Sequence, residues 1–252
     1  MKKKVSKAIV PKASATNALS NVSIPDYLRQ GTGKGMQKVE RADLLLPRIK
    51  LLQALSPEVS EGIGKPGDMI DSVTRENFGR KISIVPVIHY KSRLLFSERS
   101  PNATILCGSD DGVHPNKTYG EVKSQSCLEC DLVEWSTDKK GVSQKPDCNI
   151  FYNFVTLKDG LTPIGLSLSG SKIKGAKKLL SIIRYTGANL DMFSLKFELS
   201  SIEEKGPKGS YFNFKVESDG FNSKEGYAAA DRFYQSIKEK EVQIQKEKPE
   251  VE

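Results

Sequence analysis

Residues 148–170 read CNIFYNFVTLKDGLTPIGLSLSG, and the alternation in this stretch sets the fold class. Ile150, Tyr152 and Phe154 alternate with Phe151, Asn153 and Val155, the two-residue period of a strand. The Lys-Asp-Gly that follows has the chemistry of a tight hairpin turn, and TPIGLSLS reads as the return strand.

Toward the C-terminus, SKIKGAKKLLSIIRYTG has helical spacing at Ile173, Ala176, Leu180 and Ile183, with Gly187 near its end. MFSLKFELSSIEEKGPKGSYFNFKVES reads as two strands around a Gly/Pro turn, and SKEGYAAADRFYQSIKEKE as a second helix. Toward the N-terminus, KISIVPVIHYKSRLLFS is a strand region rich in β-branched residues, with Pro86 marking an edge or a bulge. DLLLPRIKLLQALSPEV passes from a short helix or turn at Pro47 into a core segment that includes Ile49 and Leu51. The expected class is α+β, mainly β: an antiparallel OB-like β-barrel or curled sheet with two helices and a zinc-ribbon-like insertion.

Residues 1–22 carry no carboxylate and read as a disordered basic arm. Residues 23–238 form the expected single globular domain, and 239–252 a charged flexible tail. The GTGKG of residues 31–35 is not a phosphate loop. The pattern G-x-x-x-x-G-K-[ST] would place Gly where Leu28 stands and Ser or Thr where Gly35 stands. The basic start is broken by Lys7, Pro11 and Lys12, so no signal-peptide core is expected, and the chain reads as cytoplasmic. No apolar run approaches the ~20 residues that span a bilayer.

The insertion, residues 100–148, holds all four cysteines: Cys107, the CLEC pair Cys127 and Cys130, and Cys148. Thiols in a reducing compartment favour metal over disulfide, and four thiolates complete a tetrahedral structural zinc shell. The pattern has one C-x-x-C knuckle and two lone cysteines, where a standard ribbon has two knuckles. Ordinary buried thiols and a redox pair are the alternatives. His114 is a possible substitute for Cys107, and Trp135 is expected to pack against the metal loop.

The chain carries 39 Lys+Arg against 31 Asp+Glu, a net charge of +8, which suits an acidic partner such as nucleic acid. Lys172, Lys174, Lys177 and Lys178 lie on or beside the first helix, and three of them share a side away from its apolar stripe. The alternative is a solvated helix face. NIFYNFV and SYFNFKV repeat an aromatic-Asn-Phe pattern. Such rings are core in most strands, so Tyr152 and Tyr211, whose phenols tolerate water, are the stacking candidates. Arg48, Lys50, Lys91 and Arg93, with His89 and Tyr90, are further groove candidates. Asp110 and Asp111 would suit a nuclease metal, but adjacent carboxylates beside Gly and Ser are more often a turn. No hydrolase or deaminase motif is present, so no enzymatic activity is expected.

The segments DLLLPRIKLLQALSPEV, KPGD, the C-x-x-C insertion and YNFV…LSLSGSKIKGAKKL resemble a family of small tailed-bacteriophage proteins over about residues 40–235. That family is similar in organisation to phage single-stranded-DNA-binding replication proteins, which implies an OB barrel, in some cases a zinc insertion, and single-stranded DNA as partner. Many such proteins end in a strongly acidic recruiting tail, whereas this tail mixes Lys and Glu. The expected function is single-stranded DNA binding in phage replication or recombination. The alternative is a protein-binding zinc module that targets a host enzyme.

Overall fold

The computed structural model describes residues 34–38, 46–98, 103–206 and 209–238. The basic arm, most of the GTGKG segment and the charged tail lie outside the described residues.

The alternation at 148–170 becomes a hairpin of β8 (Cys148–Lys158) and β9 (Thr162–Ser169). Asp159 and Gly160 both take positive φ, 50° and 75°, which is what the tight turn between two right-twisted strands requires. Before it come β1 (Ile49–Leu51), α1 (Pro57–Ser60), β2 (Met69–Asp71), β3 (Asn77–Gly79), the long β4 (Lys81–Phe96), β5 (Ile105–Ser109), and a two-residue ribbon of β6 (Ser136–Thr137) and β7 (Ser143–Gln144). After it come α2 (Ile173–Thr186), β10 (Leu195–Gly206), β11 (Gly209–Phe221) and α3 (Lys224–Ile237). The two expected helices are present; α1, a four-residue helix, is too short to show a helical period in the sequence. No described helix is long and apolar enough to cross a membrane.

The main sheet is antiparallel, in the order β11-β10-β4-β8-β9, and β5 takes the far end of β4. Pro86 sits at a bulge, where the register shifts between Pro86 and Ile88. A bulge tolerates a residue with no N–H inside a central strand. The ladder is open: among the described residues β9 and β11 do not pair, so of the two expected forms, barrel or curled sheet, the closed barrel is not present. A strap on the β1 side links these edges instead. Gly165 of β9 donates to the Pro47 carbonyl (2.7 Å). On β11, Phe212 donates to Gln53 Oε1 (2.8 Å), and its carbonyl accepts from Gln53 Nε2 (3.0 Å). The Gln53 amide thus stands in for a strand neighbour.

Each face of the sheet has its own core. On the inner face, Ile84, Phe154, Leu166, Phe197 and Val216 pack with Ala176, Leu179 and Ile183 of α2. The buried stripe of α2 runs through Leu179, whereas the sequence spacing pointed to Leu180, which is half-buried. On the outer face, Val85, Val87, Leu157 and Phe193 pack with Ala230 of α3. Ser223 caps α3, its hydroxyl accepting from the Gly226 N–H (3.0 Å).

Candidate nucleic-acid surface and cysteine cavity

Residues 160–190 contain no Asp or Glu, and α2 runs through this acid-free stretch. Burying Ala176, Leu179 and Ile183 turns Lys174, Lys177, Lys178, Ser181, Arg184 and Tyr185 outward, and all six are exposed. The row 174-178-181-185 follows the i, i+4, i+7, i+11 line of one helix face. Tyr185 is 88% exposed, an aromatic ring at the C-terminal end of a cationic ridge. The helical spacing carries its signal in the sequence, where attention to strand aromatics alone passes it by. Two carboxylates face the ridge from the sheet. Glu204 lies near Lys174 and Glu217 near Lys178. Hydrogen bonds hold both below the usual carboxylate range, chiefly from Tyr211 to Glu204 and from Lys215 to Glu217. Arg184 Nη1 donates to the Ala188 carbonyl (2.9 Å) just past the helix end.

The other groove candidates are engaged within the fold. Tyr152 is not an exposed stacking ring: it is only 8% exposed and belongs to the inner core. His89 lies between Tyr152 (5.6 Å) and Phe154 (4.6 Å), and its Nδ1 bonds the Asn153 carbonyl (3.0 Å). Burial holds the His89 imidazole below its ordinary value, the nearby Lys91 charge acts the same way, and the carbonyl bond acts against them. Lys91 is exposed with its ammonium 5.2 Å above the Tyr152 ring, and Lys172 lies 5.8 Å above Phe214. Tyr211 donates to Glu204 (2.7 Å), and Lys50 bonds both oxygens of Glu58 (2.9 and 3.2 Å). Arg48 is half-buried where β1 meets β9, and Arg93 Nε donates to the Gly112 carbonyl (3.1 Å).

The cysteines converge. β5 and β8 pair with opposite edges of β4, and both Cys107 and Cys148 stand opposite Leu95. Residues opposite one another across strands face the same way, so these two thiols share one side of the sheet. A turn at residues 126–129, closed by Glu129 N–H to the Ser126 carbonyl, carries Cys127 and leads into Cys130. All four cysteines line one cavity of ≈ 20 Å³, with Leu95, Pro115, Leu132 and Val133 among its walls. The four are free thiols. Among the described residues no three Cys, His, Asp or Glu side chains already stand at metal-ligating positions. Burial pushes the Cys148 thiol up to about 12; Arg93 acts against this and the other three thiols add to it.

His114 stays outside the cavity: its side chain is 79% exposed and bonds Asp111 Oδ2 (2.6 Å). Asp111 also accepts from Ser109 Oγ and from the N–H groups of Val113 and His114, which holds its carboxyl far below the usual range despite some burial. Asp110 accepts from Asn116 Nδ2 (2.8 Å) and the Tyr119 hydroxyl (2.5 Å). Both carboxylates organise the loop, as the turn reading expects. Trp135, expected to pack against the cysteine loop, is instead 70% exposed, and Leu128 and Val142 are exposed on the same insertion.

A family model described as "Pam3 phage gp34-like protein" matches residues 15–243. No curated protein matches, and no solved structure matches.

Proposed function

The chain belongs to the Pam3 phage gp34-like family, a family of phage proteins, and we propose that it binds single-stranded nucleic acid, DNA first, in phage replication or recombination. It acts without catalysis, in the host cytoplasm, on an OB-like open sheet that carries a zinc-ribbon-like insertion. The observation that carries this reading is the solvent face of α2, where Lys174, Lys177, Lys178 and Arg184 form a ridge that ends on the exposed Tyr185. Cations along a helix follow the phosphates, and an exposed ring among them offers a base a stacking surface. A duplex hides its base faces, so the ring favours unpaired strands.

The test is fluorescence anisotropy with a labelled oligonucleotide, single-stranded and duplex, across a salt series. Tighter single-strand binding is expected, and four phosphate contacts give log K against log salt a slope of about −3. Replacing Lys174, Lys177 and Lys178 together by Gln should flatten that slope by about 2. Equal affinity for duplex, or no binding at low salt, would sink the reading.

The exposed Leu128, Trp135 and Val142 favour a second reading, in which the insertion docks on a host enzyme. Aromatic anchors carry much of the energy of protein interfaces. A Trp135→Ala chain that recovers the same host proteins as the native chain would remove this alternative.

A further inference from the structure

We infer that Cys107, Cys127, Cys130 and Cys148 bind one Zn²⁺ as a closed tetrathiolate site, with the Arg93 guanidinium as its counter-charge. This goes beyond the nucleic-acid reading, because it rests on the far end of β4 and on no residue of the α2 ridge.

The geometry is built from three separate parts of the chain. Strand register sets Cys107 and Cys148 on either side of Leu95, on one face. The turn at 126–129 brings the C-x-x-C pair to the same cavity. A C-x-x-C turn can direct both its sulfurs at one metal, and four thiolates fill the tetrahedral shell of structural zinc. Soft sulfur donors select zinc over the hard cations magnesium and calcium. The cavity of ≈ 20 Å³ has the room of about one water-sized sphere. The four thiols line it without closing to ligating positions around one centre.

The insertion also has almost no apolar core of its own. From Asp110 to Asp147 only Gly112 and Cys127 are buried, and one of these is a proposed ligand. The regular structure there is two three-residue 3₁₀ turns and the β6–β7 ribbon. A segment without an apolar core folds when a metal cross-links it.

Charge is accounted for as well. Binding breaks four S–H bonds and forms four Zn–S bonds; four protons leave to solvent and no electron moves. The resulting site carries a charge of −2. Arg93 lies two residues before Leu95 on β4, on the same face as Cys107 and Cys148, and its Nε is anchored to the Gly112 carbonyl. Arg93 is thereby a positioning residue of the metal site rather than a strand-binding one.

The full-length chain, purified under reducing conditions, should contain one zinc per molecule by mass spectrometry of the metal. Cobalt exchanged into the site should give the visible spectrum of a tetrahedral tetrathiolate. Each Cys→Ser variant should lose that spectrum, and His114→Ala should keep it. Arg93→Gln should keep the spectrum while binding cobalt roughly 10- to 100-fold more weakly, the range for outer-shell partners. If Cys148→Ser fails to fold, the native chain's cobalt spectrum and the Cys130→Ser variant carry the test. Four thiols reactive toward a disulfide reagent in zinc-supplemented folded protein, a disulfide among them, or a spectrum with a nitrogen ligand would each overturn the assignment. Metal content is read without nucleic acid, so this result and the anisotropy result are independent.

Discussion

Two side chains, one exposed and one buried, show how far function and stability rest on single positions. Tyr185 stands in solvent among cations and has no packing role of the kind Tyr152 has in the inner core. Tyr185→Ala should leave the fold intact by circular dichroism and weaken single-strand binding by about 1–3 kcal/mol, or about 5- to 150-fold. His89 is the converse case. Its ring is held neutral by burial between Tyr152 and Phe154. Above the ordinary histidine value of about 6.5 neither folded nor unfolded chain is charged at this position. As pH falls below that value, the unfolded chain takes up a proton that folded His89 declines, so stability falls until its own lower pKa is reached. The urea midpoint should therefore drop between pH 7.5 and 5.5, and His89→Phe, which keeps an aromatic ring in the stack, should flatten the drop.

Among the elements, the strap through β1 shows how an open sheet can be held without a closed ladder. The Gln53 amide satisfies both the N–H and the carbonyl of Phe212 on β11. The same segment reaches β9 at Gly165. Gln53→Ala leaves two backbone groups of a half-buried residue without their partner, a loss of about 1–3 kcal/mol. A lower denaturant midpoint, with faster amide exchange at Phe212 than at the β8–β9 pairs, is the expected signature. The approach is close here: a Cβ on Gly67, whose φ is +88°, would lie 2.6 Å from the Phe212 ring. That explains glycine in the KPGD turn better than flexibility does.

The whole molecule has two cores on one sheet, and they differ in size. The inner one gathers residues from β1, β2, β4, β8–β11 and α2, whereas the outer one joins Val85, Val87 and Leu157 to Phe193 and Ala230. Phe193 is the hinge of the outer core, with ring contacts to Tyr227 (4.9 Å) and Tyr234 (6.0 Å) of α3. Phe193→Ala should cost about 3–5 kcal/mol and loosen α3 first. Hydrogen exchange should rise over 224–237 before it rises in β8 or β9. Uniform loss of protection would show that the two cores unfold as one.

Local periods and turns are readable from the chain alone. Alternation at 150–155 made a strand, Asp159-Gly160 made its hairpin, Pro86 marked a bulge, and helical spacing exposed the lysines of α2. Those signals are legible because they depend on residues a few positions apart, whose relative directions the backbone fixes. Everything else waited on how the elements pack. Tyr152 and Tyr185 are the same chemical group, yet one is core and one is solvent-facing, because helix α2 covers the inner face of β8 and nothing described covers the helix. The cysteine spacing shows one knuckle and two lone thiols; only the register of β5 and β8 on β4 sets Cys107 and Cys148 on either side of Leu95. Which way a side chain points is a local property of the chain, but what it meets there is set by strands that are distant in sequence.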